Sequence, residues 1–90
     1  MKFTYNPGKR AVTLAERKLD FLDAAIVFEG LTYTAADDRW DYGEKRYVIY
    51  GLLHGRMVVV VWTPRGAARH VFSIRNANDR EQARHKTSLG

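Results

Sequence analysis

The 90-residue sequence predicts one α+β domain: an antiparallel sheet of three to four main strands, with two N-terminal helices and one C-terminal helix packed on one face of the sheet. Apolar residues recur at helical spacing before Gly30 and at strand spacing after it. Short links at residues 54–55 and 64–66 join apolar segments, and links this short make neighbouring strands antiparallel. A chain of this length supports a single modest core, so we assign residues 1–90 to one domain.

The N-terminal third predicts a short strand and two helices. A strand over residues 2–5 precedes an Asn-Pro pair at residues 6–7. Asn can cap free backbone amides and Pro suits the first helical position, so the first helix is expected over residues 7–17. The second helix is expected to open at Asp20 and to end at Gly30. Its apolar face is formed by residues spaced three and four apart: Phe21, Ala24, Ala25 and Phe28.

The rest of the sequence predicts four strands and a closing helix. The strands are expected over residues 31–35, 46–53, 56–63 and 69–75. The third of these contains MVVVVW, which is apolar on both faces and therefore typical of a central strand. Asn78 and Glu81 have the spacing of a capping box, which predicts a last helix over residues 79–86.

The charge is concentrated in the second half of the chain. The formal net charge is +5 and the pI is about 9.8. Residues 1–44 contain six Lys or Arg and eight Asp or Glu, a net of −2, whereas residues 45–90 contain nine and two, a net of +7. Such an asymmetry favours a nucleic acid or another polyanion as the partner.

Composition also excludes several classes of protein. There is no cysteine, so neither a disulfide framework nor a thiolate metal site is expected. The apolar run MVVVVW is far shorter than the roughly 20 residues of a membrane span. The N-terminal MKFTYNPGKR lacks the apolar segment of a secretory signal. A cytoplasmic protein is therefore the expectation.

The sequence offers no cofactor or metal motif. The three histidines fall on a hairpin tip, a strand and a helix, and there is no Gly-rich phosphate loop. Metal-free cleavage of RNA requires less: a base near the 2′-hydroxyl, cations for the charge that grows on phosphorus, and an acid for the leaving 5′-oxygen. Side chains on one face of a sheet can supply these groups.

Strand alternation brings several charged residues together. Arg69, Ser73 and Arg75 are expected on one face of their strand, and Arg46 opens a strand two positions away in the hairpin order. Glu44 and Lys45 directly precede Arg46. The alternative is a solvated strand face, with Glu44 as the salt-bridge partner of an arginine.

Two further candidates come from the terminal helix and from an aromatic segment. His85 is a candidate base because imidazole titrates near neutral pH, although a histidine near the end of a terminal helix is more often simply exposed. Trp40, Tyr42 and Tyr47 lie among charges in RWDYGEKRY, where aromatic rings can stack on nucleobases. The alternative for these rings, favoured for Tyr47, is that they cap the core.

Five blocks of the sequence occur in the order typical of one protein family. They are FTYNPGK (3–9), LDFLDAAIVF (19–28), DDRWDYGEKRYVIYG (37–51), VVVVWTPRG (58–66) and SIRNANDRE (73–81). In these blocks the chain resembles BrnT, the toxin of a type II toxin–antitoxin pair, over nearly its whole length. The resemblance implies a RelE-like ribonuclease domain that cuts RNA and arrests translation. It also implies a BrnA-like antitoxin, usually encoded beside the toxin, which occludes the toxin and binds operator DNA.

The resemblance also implies site residues. Glu44, Arg46 and Arg75 are expected to be catalytic: the two arginines would stabilise the phosphorane-like charge, and Glu44 would orient an arginine or accept a proton. His85 is added as the terminal-helix group. The expected RNA contacts are Lys45, Arg69, Arg80 and Trp40, with Arg80 on a phosphate.

Four positions depart from the family pattern. Asn76 stands where a Lys is usual, His85 where a Tyr is common, and Thr13 and Arg17 where Asn and His are usual. Loss of one charge-assisted contact at Asn76 weakens a phosphate site by about 1.5–3 kcal/mol where that contact is used. The sequence therefore leaves three hypotheses open: a metal-independent ribonuclease toxin, a basic binding module that docks nucleic acid or an antitoxin without cutting, and a divergent toxin kept for complex formation and autoregulation.

Overall fold

The computed structural model describes residues 2–37 and 41–89, and in them the predicted order of elements is confirmed. The strands are β1 (Phe3–Tyr5), β2 (Thr32–Ala36), β3 (Tyr47–Leu53), β4 (Arg56–Arg65) and β5 (Ala68–Asn76). The helices are α1 (Pro7–Arg17), α2 (Ala24–Glu29) and α3 (Asp79–His85), and 3₁₀ turns cover Phe21–Asp23 and Thr87–Leu89. In the same residues no helix has the length and apolarity needed to cross a membrane.

The start of α1 follows directly from its local sequence. The Asn6 side chain accepts a hydrogen bond from the Lys9 amide at 3.0 Å, and Pro7 occupies the first helical position. The second helix differs from the expectation, because the chain makes a 3₁₀ turn first. Asp20 caps that turn and binds Arg10 of α1 at 2.7 Å, which ties the two helical segments together.

The sheet is mixed rather than antiparallel, and it has five strands in the order β1-β5-β4-β3-β2. The links from β2 to β5 are antiparallel as predicted, but β1 joins β5 in parallel. The expectation of an antiparallel sheet with three to four main strands is therefore only partly correct. Short hairpin links fix the direction of neighbouring strands. β1 and β5 lie at opposite ends of the sequence, so no local signal fixes the direction of β1 relative to β5.

The first hairpin turn is confirmed and the second is displaced. His54 and Gly55 have φ of 52° and 79°, as a two-residue turn between antiparallel strands requires. The second turn was expected at residues 64–66, but β4 continues through Arg65 and the turn falls at residues 66–67, where Gly66 has φ of 58°.

The central strand is buried on both faces, and each face has its own apolar cluster. Val58 and Val60 of β4 belong to the core beneath α2. Val59 points the other way and packs with Ala77 and Leu89, which flank α3. The prediction that all helices lie on one face is therefore wrong. A strand that is apolar on both faces requires cover on both, and α3 with the following 3₁₀ turn supplies the second cover.

A β-bulge in β5 changes the alternation of its side chains. Val61 pairs with Ser73 but Trp62 pairs with Val71, so Phe72 is an extra residue in β5. A bulge of this kind shifts the phase of a strand by one residue, so the side chains before and after it no longer follow a single alternation.

The phase shift separates residues that strict alternation had placed together. Val71 and Ile74 are both wholly buried in the cluster beneath the helices, although they are three positions apart. Arg69 lies on that face too, whereas Ser73 and Arg75 line the opposite one. The predicted shared face of Arg69, Ser73 and Arg75 is therefore wrong.

Substitution of Gly51 tests the close approach of α2 to β3. A Cβ at this position would lie 2.6 Å from a Val27 methyl carbon and 3.3 Å from one of Thr32. We expect Gly51→Ala to lower the free energy of unfolding by about 1–3 kcal/mol through overpacking, measured by denaturant titration. Gly30→Ala is the control, because its Cβ would come no closer than 3.8 Å to the nearest backbone oxygen. Equal losses in the two variants would contradict this packing.

Candidate functional site

Beyond α3, the second face of the sheet forms an open depression of about 500 Å³, here called the open face. Its floor is apolar and consists of Val48, Val59 and Val61. Polar and aromatic side chains rise around that floor: Arg17, Asp37, Tyr50, Ser73, Arg75 and Glu81. The apolar floor can accept a flat ring, and the Arg17 and Arg75 guanidinium groups among the surrounding side chains can bind a negative charge.

Arg75 is held at the wall of the open face by Glu81 of α3. Its two terminal nitrogens each donate to a Glu81 carboxylate oxygen at 2.8 Å. Glu81 also accepts from the Asn78 amide at 3.0 Å while the Asn78 side chain accepts from the Glu81 amide, so the predicted capping box is confirmed. The Arg75 hydrogen bonds are the main cause that lowers the pKa of Glu81 to about 2. The Arg75 side chain stays 41% exposed, so its guanidinium remains accessible to a ligand.

Arg17 brings a second guanidinium to the same region. It ends α1 and donates to the Ile74 carbonyl at 3.1 Å, at the edge of β5 beyond its pairing with β1. Arg17 lines the open face together with Arg75. In the sequence this residue appeared only as a departure from a family pattern, because no local signal brings the end of α1 next to β5.

Arg46 lies between two aromatic rings. Its guanidinium carbon is 4.0 Å from the ring centroids of Tyr42 and Phe72. Its Nε is buried and makes no hydrogen bond within the described part of the chain. The backbone on each side of Arg46 is fixed, since its carbonyl accepts from the Asp37 amide and the Lys45 carbonyl accepts from Thr63.

Two further cations surround Phe72, and Glu44 approaches one of them. Lys9 and Arg65 each place a charged group 5.7 Å from the Phe72 ring centroid. Glu44 contacts Arg65 at 3.5 Å. Glu44 is therefore the salt-bridge partner of an arginine, the alternative that the sequence left open, and that arginine is Arg65, which the sequence did not single out.

His70 lies beside this cluster and was not among the expected site residues. Its Nδ1 is 2.8 Å from the Thr4 hydroxyl, and its ring meets Phe72 edge to face at 5.2 Å between centroids. Partial burial lowers its pKa, with Arg65 and Lys9 adding to the effect and Glu44 opposing it. Strict alternation along β5 would place His70 and Arg75 on opposite faces of the sheet. The bulge at Phe72 shifts the alternation by one residue, so both side chains lie on the same face.

Among the described residues, several expected site residues do not line the open face: Glu44, Lys45, Arg46, Arg69 and Arg80. Arg69 lies on the helix-covered face, with its guanidinium carbon 4.6 Å from the rings of Phe28 and Trp62. Lys45 and Arg80 are exposed, the first before β3 and the second in the first turn of α3. Trp40 falls outside the described residues.

His85 is buried rather than exposed, with 6% of its surface accessible. Its ring stacks on Tyr50 at 4.0 Å and on Tyr33 at 4.6 Å between centroids. The expectation of an exposed histidine near a terminal helix end is therefore wrong. The cause is that α3 packs across β2 and β3 instead of projecting from the domain, so His85 fastens the helix to the sheet.

Comparison with known families adds one finding. A family model described as the ribonuclease toxin, BrnT, of type II toxin–antitoxin systems matches residues 5–81. No curated protein gives a significant match to the chain. The matched segment includes Glu44, Arg46, Arg75 and the whole open-face floor.

Within residues 2–37 and 41–89, no three His, Asp or Glu side chains are grouped so as to hold a metal ion.

The Arg75–Glu81 pair predicts an acid-dependent loss of stability. Because the pKa of Glu81 falls from 4.5 to about 2 on folding, its carboxylate stabilises the fold above pH 4.5 and that contribution is lost as the pH falls toward 2. We expect Glu81→Gln, which keeps a capping-box side chain, to lower the free energy of unfolding by about 2 kcal/mol at neutral pH. The difference from wild type should narrow as the pH drops, measured by denaturant titration at several pH values.

Asp79→Asn is the matched control, since Asp79 is an exposed carboxylate in the same helical turn. It should change neither the neutral-pH stability nor its acid dependence by a comparable amount. A Glu81→Gln variant that stays a constant amount less stable at every pH would contradict the assigned role of the carboxylate charge.

Proposed function

Because the chain belongs to the BrnT family of ribonuclease toxins of type II toxin–antitoxin systems, we propose that it binds RNA across the open face of its sheet, cleaves it and thereby inhibits translation. The observation that supports this most is the pairing of an apolar floor with the guanidinium groups of Arg17 and Arg75. Cations attract the phosphate backbone and an apolar surface accepts the bases. The same proposal assigns the domain to the RelE-like ribonucleases, with the α+β element order as its support.

The proposed chemistry is the metal-independent cleavage of a phosphodiester. A base takes the proton of the 2′-hydroxyl, the 2′-oxygen bonds to phosphorus, and the bond from phosphorus to the 5′-oxygen breaks. The products are a 2′,3′-cyclic phosphate and a free 5′-hydroxyl once the leaving oxygen is protonated. Arg46 stabilises the negative charge that grows on phosphorus, and the fixed position of its guanidinium between two rings reduces the reorganisation needed during the reaction. Arg75 binds another phosphate of the same strand at the wall of the open face.

The antitoxin and its DNA contacts are proposed on charge and family. Membership of a type II system implies an antitoxin partner. We propose a BrnA-like protein whose acidic segment covers the open face, since the second half of the chain carries a net charge of +7. Operator DNA is then bound through the toxin–antitoxin complex rather than by this chain alone. A cytoplasmic location follows from an RNA substrate and a translational target.

A second candidate is a binding module that docks RNA or an antitoxin without cutting. Two observations favour it. Arg75 is paired with a carboxylate, which offsets its charge, and the next residue along β5 is the uncharged, exposed Asn76. In that case the open face serves complex formation and autoregulation.

Incubation of purified protein with RNA in EDTA separates the two candidates. We expect the wild type to cleave, and Arg75→Ala to cleave about 100-fold more slowly because a phosphate contact that positions the RNA is lost. Arg84→Ala is the control, since Arg84 is an exposed arginine in the last turn of α3. Thermal melts of each variant show whether the lost activity reflects unfolding.

Each result has a distinct meaning. If the folded wild type cleaves no RNA, the enzyme proposal fails and the binding module stands. If Arg75→Ala cleaves as fast as wild type, the activity stands and the role of Arg75 fails. An equal loss in Arg75→Ala and Arg84→Ala would indicate a general loss of positive charge rather than a site.

A further inference from the structure

The pairing of β1 with β5 places a hydroxyl beside an imidazole. Thr4 and His70 are direct partners in the parallel register, and the Thr4 hydroxyl lies 2.8 Å from His70 Nδ1. In the tautomer in which Nδ1 donates its proton to that hydroxyl, Nε2 carries the lone pair and can accept a proton. Thr4 therefore fixes the orientation of the ring, and the tautomer with its proton on Nδ1 is the one that a base requires.

We propose that His70 is the general base of the cleavage reaction, and that the cluster of Lys9, Arg46 and Arg65 around Phe72 holds the scissile phosphate beside it. This inference rests on the proposed ribonuclease function and adds to it a base that neither the family match nor the sequence motifs assign. The substrate class is an RNA phosphodiester with a free 2′-hydroxyl.

The charges around His70 favour both a neutral imidazole and a bound phosphate. Lys9 faces it from α1, Arg65 from the end of β4, and Glu44 from the segment before β3, whereas Arg46 stacks on the neighbouring Phe72 ring. Two cations against one carboxylate leave a positive charge beside the His70 ring that attracts phosphate. Burial and the nearby cations lower the pKa of His70, so the ring is uncharged at neutral pH and able to accept a proton.

The other two histidines do not meet these conditions. His85 is buried in the stack with Tyr33 and Tyr50. His54 is exposed at the tip of the turn between β3 and β4, where φ is 52°. Of the three, His70 is the one that lies among the cations on the sheet and has its ring orientation fixed by a hydrogen bond.

The proton and the electrons are accounted for at each step. His70 Nε2 takes the proton of the 2′-hydroxyl as the 2′-oxygen forms its bond to phosphorus. The bond between phosphorus and the 5′-oxygen breaks, and the leaving oxygen keeps the electron pair and takes a proton from water. The imidazolium then returns its proton to solvent, which leaves a 2′,3′-cyclic phosphate and a 5′-hydroxyl.

The test is the pH dependence of RNA cleavage by three variants. For the wild type, kcat/KM should rise with pH on the acid side and level off near neutrality as the base loses its proton. His70→Gln should lower kcat/KM by about 100-fold and abolish that rise, whereas His54→Gln should change neither. Thr4→Val should lower kcat about tenfold with KM little changed, because Thr4 acts by positioning the ring.

Arg65 offers a second readout that a structural role for His70 would not produce. Removal of this cation raises the pKa of His70, so Arg65→Ala should shift the acid limb of the profile to higher pH. Arg56→Ala is the control, because Arg56 is an exposed arginine at the opposite end of β4. An acid limb that does not move in Arg65→Ala would contradict the assignment.

Binding is measured separately, so a variant that folds poorly does not decide the question. A 2′-O-methyl RNA oligonucleotide cannot be cleaved by this route, and it should shift the imidazole NMR signals of His70 in the wild type but not those of His54. Unmoved His70 signals, or a folded His70→Gln with wild-type rate and pH profile, would overturn the proposal while the ribonuclease function stands. If the wild type cleaves no RNA, the proposed function fails first and the role of His70 as a base fails with it.

Discussion

Val58, Val59 and Val60 of β4 are wholly buried, and neighbouring side chains on a strand point to opposite faces of the sheet. Each buried valine contributes about 1.5–3 kcal/mol relative to an exposed one, so both faces need a cover. The first face is covered by the 3₁₀ turn at Phe21–Asp23 and by α2, which bury Phe21, Ala24 and Val27 in the core. Within the described residues, the second face is covered at one end by α3 and Leu89. The open face is what this incomplete cover leaves, and the candidate site depends on it.

The fastening of α3 links stability to the site. Exposed ion pairs contribute little to stability, but Arg75 and Glu81 form two parallel hydrogen bonds, and the carboxylate, only 16% exposed, also completes a helix cap. The same pair orients the guanidinium at the wall of the open face. His85 adds a stacked contact to the sheet. His85, which the sequence offered as a catalytic base, thus holds the helix on the sheet, while Arg75 stays accessible.

Local signals predicted much of the fold. The bounds of α1, the turn at His54 and the cap at Asn78 follow from residues within four positions of each other, and all three are confirmed. The direction of β1 and the face covered by α3 depend on contacts between distant parts of the chain, so no local pattern reveals them.

The residues of the candidate site likewise divide into those that the sequence could indicate and those that it could not. Glu44, Arg46 and Arg75 were found through their motifs, and the structure gives each a defined partner. Arg69 was assigned to the same face as Arg75, which is wrong because one extra residue, Phe72, shifts the phase of β5. A bulge has no sequence signature in an apolar strand, since the residue before it and the residue after it both fit either face.

The central claim is that RNA lies on the open face, and methyl NMR of the intact protein tests it most directly. With a 2′-O-methyl RNA oligonucleotide added, the account predicts that the methyl signals of Val48 and Val61 shift, because these residues form the floor. The signals of Val27, buried beneath the helices, should stay in place. Shifts confined to the exposed Val12 and Leu14 of α1, with Val48 and Val61 unmoved, would contradict it.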